Sequence, residues 1–235
     1  MALRQRRKMM TIDAVVFDMD GVLVNSEPLW HEAEIEVAAS LGFVLSIAEC
    51  QQTTGVRVDG VVRHWRSQRP HAFAGVTDQE VIRRIVAGVV ERVERQGAPM
   101  LGAVEAVVDA ADRGFGVGLA SSSPFVIIDA ALRRLQVRDL FGVVCSAEHL
   151  PKGKPDPAVY LEACGGLGVD PKRAVAVEDS SSGILAGKNA GMFVVAVADA
   201  AAAPPAALDV ADVVITSLRE LPALLQQLQL SSRAR

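Results

Sequence analysis

Two aspartates one residue apart, Asp18 and Asp20, close an apolar run at 12–17 and are followed at once by Gly21 and another apolar step. Strands disfavour Asp, so two of them at the mouth of a buried one ask for an explanation. Three other apolar runs also end in polar clusters. One ends in Ser121, Ser122 and Ser123. A second leads into PKGKPDP, with Lys152 and Lys154, and a third ends in Glu178, Asp179 and Ser180. Carboxylates suit a hard divalent cation such as Mg²⁺, which keeps several waters and takes one or two protein carboxylates plus phosphate oxygens. Hydroxyls, backbone N–H groups at a helix N-terminus and an ammonium suit the remaining phosphate oxygens. A carboxylate next to a nucleophilic one can act as general acid and base. In a regular strand Asp18 and Asp20 share one face; a turn beginning at Gly21 lets them flank a single substrate.

Those clusters need elements to carry them. Continuous apolar runs at 12–17, 116–120, 142–145, 174–177, 193–197 and 212–215 read as strands covered on both faces. Helical stretches lie between them. AVEAVVDAADRG stops at Gly114, PFVIIDAALRRL begins just after the serine cluster, which reads as its N-cap, and GILAGKNAGM closes at Gly191. Strand and helix alternating in this way predict a Rossmann-like, three-layer α/β core with a parallel sheet. In such a sheet ligands bind beyond the carboxyl ends of the strands, where the four polar clusters would meet on one rim.

Residues 26–96 differ. They are helical in period and show no strand, which predicts an inserted α-helical cap, with GAPMLGA (97–103) as the return hinge. The core then comprises 11–25 and 97–228. The termini, 1–10 and 229–235, are expected to be flexible, and ADAAAAPPAALD to be a loop.

Composition removes other classes. Half of the 235 residues are hydrophobic and the net charge is -4, so neither nucleic acid nor an anionic membrane is expected as a partner. The basic start, LRQRRKMM, lacks the apolar stretch of a signal peptide, and no run is long enough to span a bilayer. Cys50, Cys145 and Cys164 are odd in number and scattered, and the four histidines show no ligand spacing. The expectation is a cytoplasmic protein, monomeric in the absence of any interface stripe.

DMDGVLV, LASSS, KPDP and VEDSSSG, in that order, resemble the four signature motifs of the haloacid dehalogenase superfamily of phosphotransferases, and the helical insertion resembles that family's small α-helical cap. The resemblance implies Asp18 as the nucleophile that forms a phosphoaspartate. Asp20 would protonate the leaving alkoxide and later activate water. Ser121 and Lys154, chosen over Lys152 by the KPxP pattern, would bind the transferring phosphoryl group. Asp18, the backbone carbonyl of Asp20, Asp179 and the neighbouring Glu178 would hold one Mg²⁺, for which Mn²⁺ could substitute. SEPLWHEAEIEVAASLGF and TTGVRVDGVVRHW are further similar to phosphatases of 2-deoxyglucose 6-phosphate and hexitol phosphates, within the β-phosphoglucomutase-like group. That likeness implies a small phosphorylated sugar or sugar alcohol as substrate.

Around that substrate the expected contacts are Ser122, Ser123, Glu27, Arg57 and Trp30, with Trp30 read either as cap core or as a platform for the sugar. Trp30 stands where the mutases usually carry a histidine, and Asn25 where many relatives have Asp, in the linker to the cap. The expected activity is hydrolysis of hexose or hexitol 6-phosphates. The alternatives are a sugar phosphomutase, a phosphatase of another small metabolite such as phosphoglycolate, and, from a different class, a non-enzymatic phosphoaspartate switch. A switch has no need of a cap or of Asp20.

Overall fold

The structure, a computed structural model, describes residues 11–198 and 208–233. The expected flexible segment 1–10 and most of the Ala/Pro-rich loop, 199–207, lie outside the described residues. Six strands form one wholly parallel sheet: β1 (Ala14–Phe17), β2 (Gly116–Ser121), β3 (Val143–Ser146), β4 (Ala174–Glu178), β5 (Phe193–Val197) and β6 (Val213–Ile215). Their order across the sheet is β3-β2-β1-β4-β5-β6. β1 therefore lies centrally, with Val15 level with Val117 on one side and Val175 on the other. The chain first builds outward through β2 and β3, then returns past β1 to start β4. The crevice created where strand order reverses lies beyond the ends of β1 and β4.

The alternation of side chains along each strand separates two unlike faces. Val15, Phe17, Val117, Leu119, Val175 and Val177 pack with α5 (Ala103–Asp112), α6 (Phe125–Arg134) and the last helix, α9 (Leu221–Arg233). The opposite face is nearly all small, with Ala14, Ala120, Ala174, Ala176 and Ala196 against α7 (Ala158–Leu167) and α8 (Ser181–Asn189). Three layers result, as the apolar runs predict. The last helix continues past 228, the expected end of the core. Its apolar residues Leu221, Leu224, Leu225 and Leu228 recur at helical spacing and are all buried on the sheet.

Between β1 and α5 come the inserted helices: α1 (Glu27–Ser40), the short α2 (Ile47–Gln51), α3 (Val58–Gln68) and α4 (Asp78–Gln96). Val81, Ile85, Val89 and Val93 form one buried stripe on α4, opposed by Val58, Val61, Val62 and Trp65 of α3. Phe43 meets Trp65 edge to face at 5.7 Å between ring centroids. Helix starts are fixed locally: the Thr77 hydroxyl accepts from the Glu80 N–H, and Ser46 with Glu49 forms a capping box. Two short segments link this helical part to the sheet and bond to each other. The Asn25 N–H donates to the Ala98 carbonyl and the Met100 N–H to the Leu23 carbonyl.

The helical part depends on that aromatic centre. Trp65→Ala is expected to cost about 3–5 kcal/mol, read as a lower urea midpoint at unchanged far-ultraviolet dichroism in water.

Candidate active site

β1 ends at Phe17, yet the ladder continues one residue further, because the Asp18 N–H still donates to the Val177 carbonyl. That bond fixes Asp18 at the β1–β4 crevice. The chain then turns back on itself, with the Gly21 N–H donating to the Val24 carbonyl and Gly21 at φ +74°. This turn separates the two aspartates into different environments.

Asp18 is buried, and its Oδ1 accepts from Lys154 Nζ at 2.7 Å. The same ammonium donates to Glu178 Oε1 at 2.5 Å and to the Ala120 carbonyl at 3.0 Å. Its side chain is only 3 % exposed, whereas Lys152 is exposed; of the two lysines, Lys154 is the one in the crevice. Burial by itself would lower the lysine's pKa, but the charges of Asp18 and Glu178 outweigh it and hold the ammonium protonated.

Glu178 is saturated. Beyond Lys154 it accepts from the Tyr160 hydroxyl at 2.7 Å and, on its other oxygen, from the N–H groups of Asp179 and Ser180 and the Ser180 hydroxyl. Two glycines make room for these carboxylates. A Cβ at Gly21 would stand 1.9 Å from Asp179 Oδ2, and one at Gly183 would stand 1.8 Å from Glu178 Oε1.

Oxygens of Asp18, Glu178 and Asp179 lie within 4.8 Å of one another. Two buried acids and the half-buried Asp179 around one ammonium leave an excess of negative charge. Burial first, then repulsion from Glu178 and Asp20, pushes Asp18 up to about 8 against the pull of Lys154, and burial with Glu178 and Asp18 drives Asp179 well upward. A divalent cation among these oxygens would relieve that strain, and an all-oxygen donor set suits a hard ion. The residues fit such a metal.

Asp20 faces neutral donors. Its Oδ1 accepts from the Ser26 hydroxyl at 2.5 Å and from the Trp30 indole N–H at 3.0 Å, and its Oδ2 from the Ser123 hydroxyl at 2.6 Å, with Ser121 Oγ at 3.5 Å. Trp30 is thus neither plain core nor a bare platform: it carries a donor from α1 to a carboxylate of the sheet. The serine cluster does not cap α6 as the sequence suggests. The Ser121 hydroxyl accepts from the Ser123 N–H, and Pro124 occupies the cap position. The open N–H of Phe125 is satisfied instead by the Glu148 carboxylate, while the Ser123 hydroxyl donates to Asp20.

Ser122, Ser123, Glu27, Trp30 and Arg57 all line the cavity between the sheet and the helices, together with Asp18, Asp20, Lys154 and Asp179; Ser121 is fully buried and does not border that space, and neither does Glu178. Arg57 is already committed. It pairs with both oxygens of Asp59 and donates to the carbonyls of Ala147 and Leu150 beyond β3. It clamps the helical part to the core, and the substrate contact expected of it would have to compete with four such bonds. Glu27 accepts from the Thr54 hydroxyl at 3.2 Å.

Three residues here escaped the sequence. Ser26 occupies the N-cap position of α1, yet its hydroxyl caps nothing and serves Asp20 instead. Tyr160, the chain's one tyrosine, lies on the buried face of α7 like any core aromatic. Glu34 falls within the apolar stripe of α1.

A doubly wound sheet with acids at its central strand ends, a lysine reaching in from the loop after β3, and a helical cover suits a phosphohydrolase. The sequence matches the haloacid dehalogenase-like hydrolase family over residues 12–191. It is 42 % identical over 211 residues to hexitol phosphatase B of Escherichia coli (strain K12), covering 89 % of this chain and 94 % of that one. It is 32 % identical over 185 residues to a phosphorylated carbohydrates phosphatase of Thermotoga maritima, 77 % and 82 % of the two chains. Among solved structures, CbbY from Rhodobacter sphaeroides in complex with phosphate superposes with a TM-score of 0.77 at 26 % identity, over 90 % of this chain and 96 % of that one. This chain belongs to the haloacid dehalogenase-like hydrolases, and it is a phosphatase of that family. Among the described residues no helix is long and apolar enough to cross a membrane.

Gly21→Ala should displace the Asp179 carboxylate. The expected result is a rise of about 10–100-fold in the divalent metal concentration giving half-maximal activity, together with a lower thermal midpoint in chelator, because alanine is strained at φ +74°.

Proposed function

We propose that this phosphatase hydrolyses the phosphomonoesters of small sugars and sugar alcohols, hexose and hexitol 6-phosphates foremost, by way of a phosphoaspartate on Asp18. The observation that carries the mechanism is the divergence of the two aspartates: Asp18 lies on an ammonium and beside two further carboxylates, whereas Asp20 is held only by neutral donors. The substrate class is supported by the likeness to hexitol phosphatase B and the phosphorylated carbohydrates phosphatase.

In this reading Asp18 attacks phosphorus, an Oδ–P bond forms, and the bond from phosphorus to the sugar oxygen breaks. Asp20 gives its proton to that departing oxygen. Water then attacks the acyl phosphate, Asp20 takes the proton from the water, and inorganic phosphate leaves with the Asp18 carboxylate restored. Lys154 faces the charge that develops on the phosphoryl oxygens, and Glu178 with Tyr160 holds Lys154 in place. Ser122, which follows β2 and lines the cavity, supplies a further donor. Asp18, Asp179 and the carbonyl of Asp20, with Glu178 behind them, would hold Mg²⁺, which when bound neutralises phosphate charge. Trp30 and Ser26 orient Asp20, so the acid is in position only when α1 lies on the sheet.

Phosphate release from a panel of hexose, hexitol and small-acid phosphates tests this. Release concentrated on the hexose and hexitol 6-phosphates, abolished by chelator and by Asp18→Asn, is the expected outcome; near-normal activity of Asp18→Asn would dismiss the nucleophile. Trp30→Phe, which deletes one donor to Asp20, should lower kcat by roughly tenfold with KM little changed.

A further inference from the structure

Glu34 is anomalous in its surroundings. It projects from the buried face of α1 among Leu29, Ala33, Val37 and Ala38, is 5 % exposed, and its Oε2 is buried with no hydrogen-bond partner. Its carboxyl meets the Cys50 thiol, a weak donor. A buried carboxyl left in that condition is costly, and an apolar residue would suit the packing better. Glu34 also borders the cavity, with Cys50, Thr53 and Val61 beside it.

Its position along α1 gives the unpaired acid a meaning. Glu27, Trp30, His31 and Glu34 follow at three- and four-residue steps and all line the cavity. Trp30 donates to Asp20, the group assigned to the leaving oxygen. Glu34 stands one turn further on, about 6 Å along the axis, where the remainder of a substrate would extend.

The charges nearby describe that remainder. Lys154 is enclosed by Asp18 and Glu178, Arg57 by Asp59 and two carbonyls, and His31 lies 3.6 Å from Glu27. Among the described lining residues no uncommitted cation faces Glu34, so this end of the cavity disfavours a second anionic group, and the open Glu34 oxygen suits a hydroxyl donor. We infer that Glu34 is a specificity-determining residue whose carboxyl accepts a hydrogen bond from a hydroxyl of the substrate's neutral polyol portion, about one helical turn from the phosphate. The inference rests on the sugar-phosphate reading above.

The test compares sorbitol 6-phosphate with n-hexyl phosphate, two primary six-carbon phosphates that differ in their hydroxyls, in the wild-type enzyme, Glu34→Leu and Glu34→Gln with metal present. The wild type should prefer sorbitol 6-phosphate in kcat/KM. Glu34→Leu should reduce that preference at least about tenfold, mainly by raising KM for sorbitol 6-phosphate. Glu34→Gln, equal in shape and able to accept through its amide oxygen, should reduce it about threefold, and it keeps the test open if the leucine variant does not fold. A preference that survives both substitutions, or equal losses on both substrates, overturns the role of Glu34. A wild-type enzyme that cleaves both esters without preference overturns the polyol substrate itself, and Glu34's role with it.

Discussion

Everything at this site depends on one buried ammonium. Lys154 holds together two carboxylates from different strands, Asp18 after β1 and Glu178 at the end of β4, and a carbonyl at the end of β2. Removing one partner from a buried charge cluster leaves an uncompensated charge in a poorly screened place. The sheet order sets this cluster: β1 lies between β2 and β4, so three strand ends converge on one point. Each charge then limits its neighbours. Glu178 is filled by Tyr160 and the β4–α8 turn, and Asp179 is left with oxygens open toward Asp18.

The glycines belong to the same constraint. A carboxylate can sit over Gly21 only because that residue has no side chain, and the first turn of α8 can close over Glu178 only because position 183 has none. The turn at Gly21 also requires positive φ, where other residues are strained. In DMDGV and EDSSSG the glycines therefore belong to the chemistry as much as the acids do.

The inserted helices complete the site from the opposite side. Asp20 is oriented by Ser26 and Trp30, both from the insertion's first turns, and by Ser123 of the core. Arg57 fastens the same insertion to the carbonyls beyond β3. The acid and base of the proposed reaction is thus assembled across the boundary between sheet and helices, which ties its readiness to their contact. Deeper among the helices, Glu34 keeps an open oxygen in an otherwise apolar stripe.

The parallel α/β core, the place of the helical insertion and the four polar clusters are all legible in the sequence. Continuous apolar runs, helical periodicity and polar strand ends are local patterns with local causes, and α3 and α4 fall where their periodicity puts them. Partner choice is not local. The spacing of Ser121, Ser122 and Ser123 before Pro124 suggests a helix cap, yet Ser123 serves an aspartate 103 residues away. Arg57 likewise reads as a substrate contact, yet it is held by Asp59 and the carbonyls of Ala147 and Leu150. Hydroxyls, indoles and guanidinium groups accept whichever partner the fold brings near, and these partners lie on distant segments. Sequence determined which chemistry the strand ends could carry; only the tertiary structure decided which group holds which, because hydrogen bonds and buried charges are fixed by proximity in space.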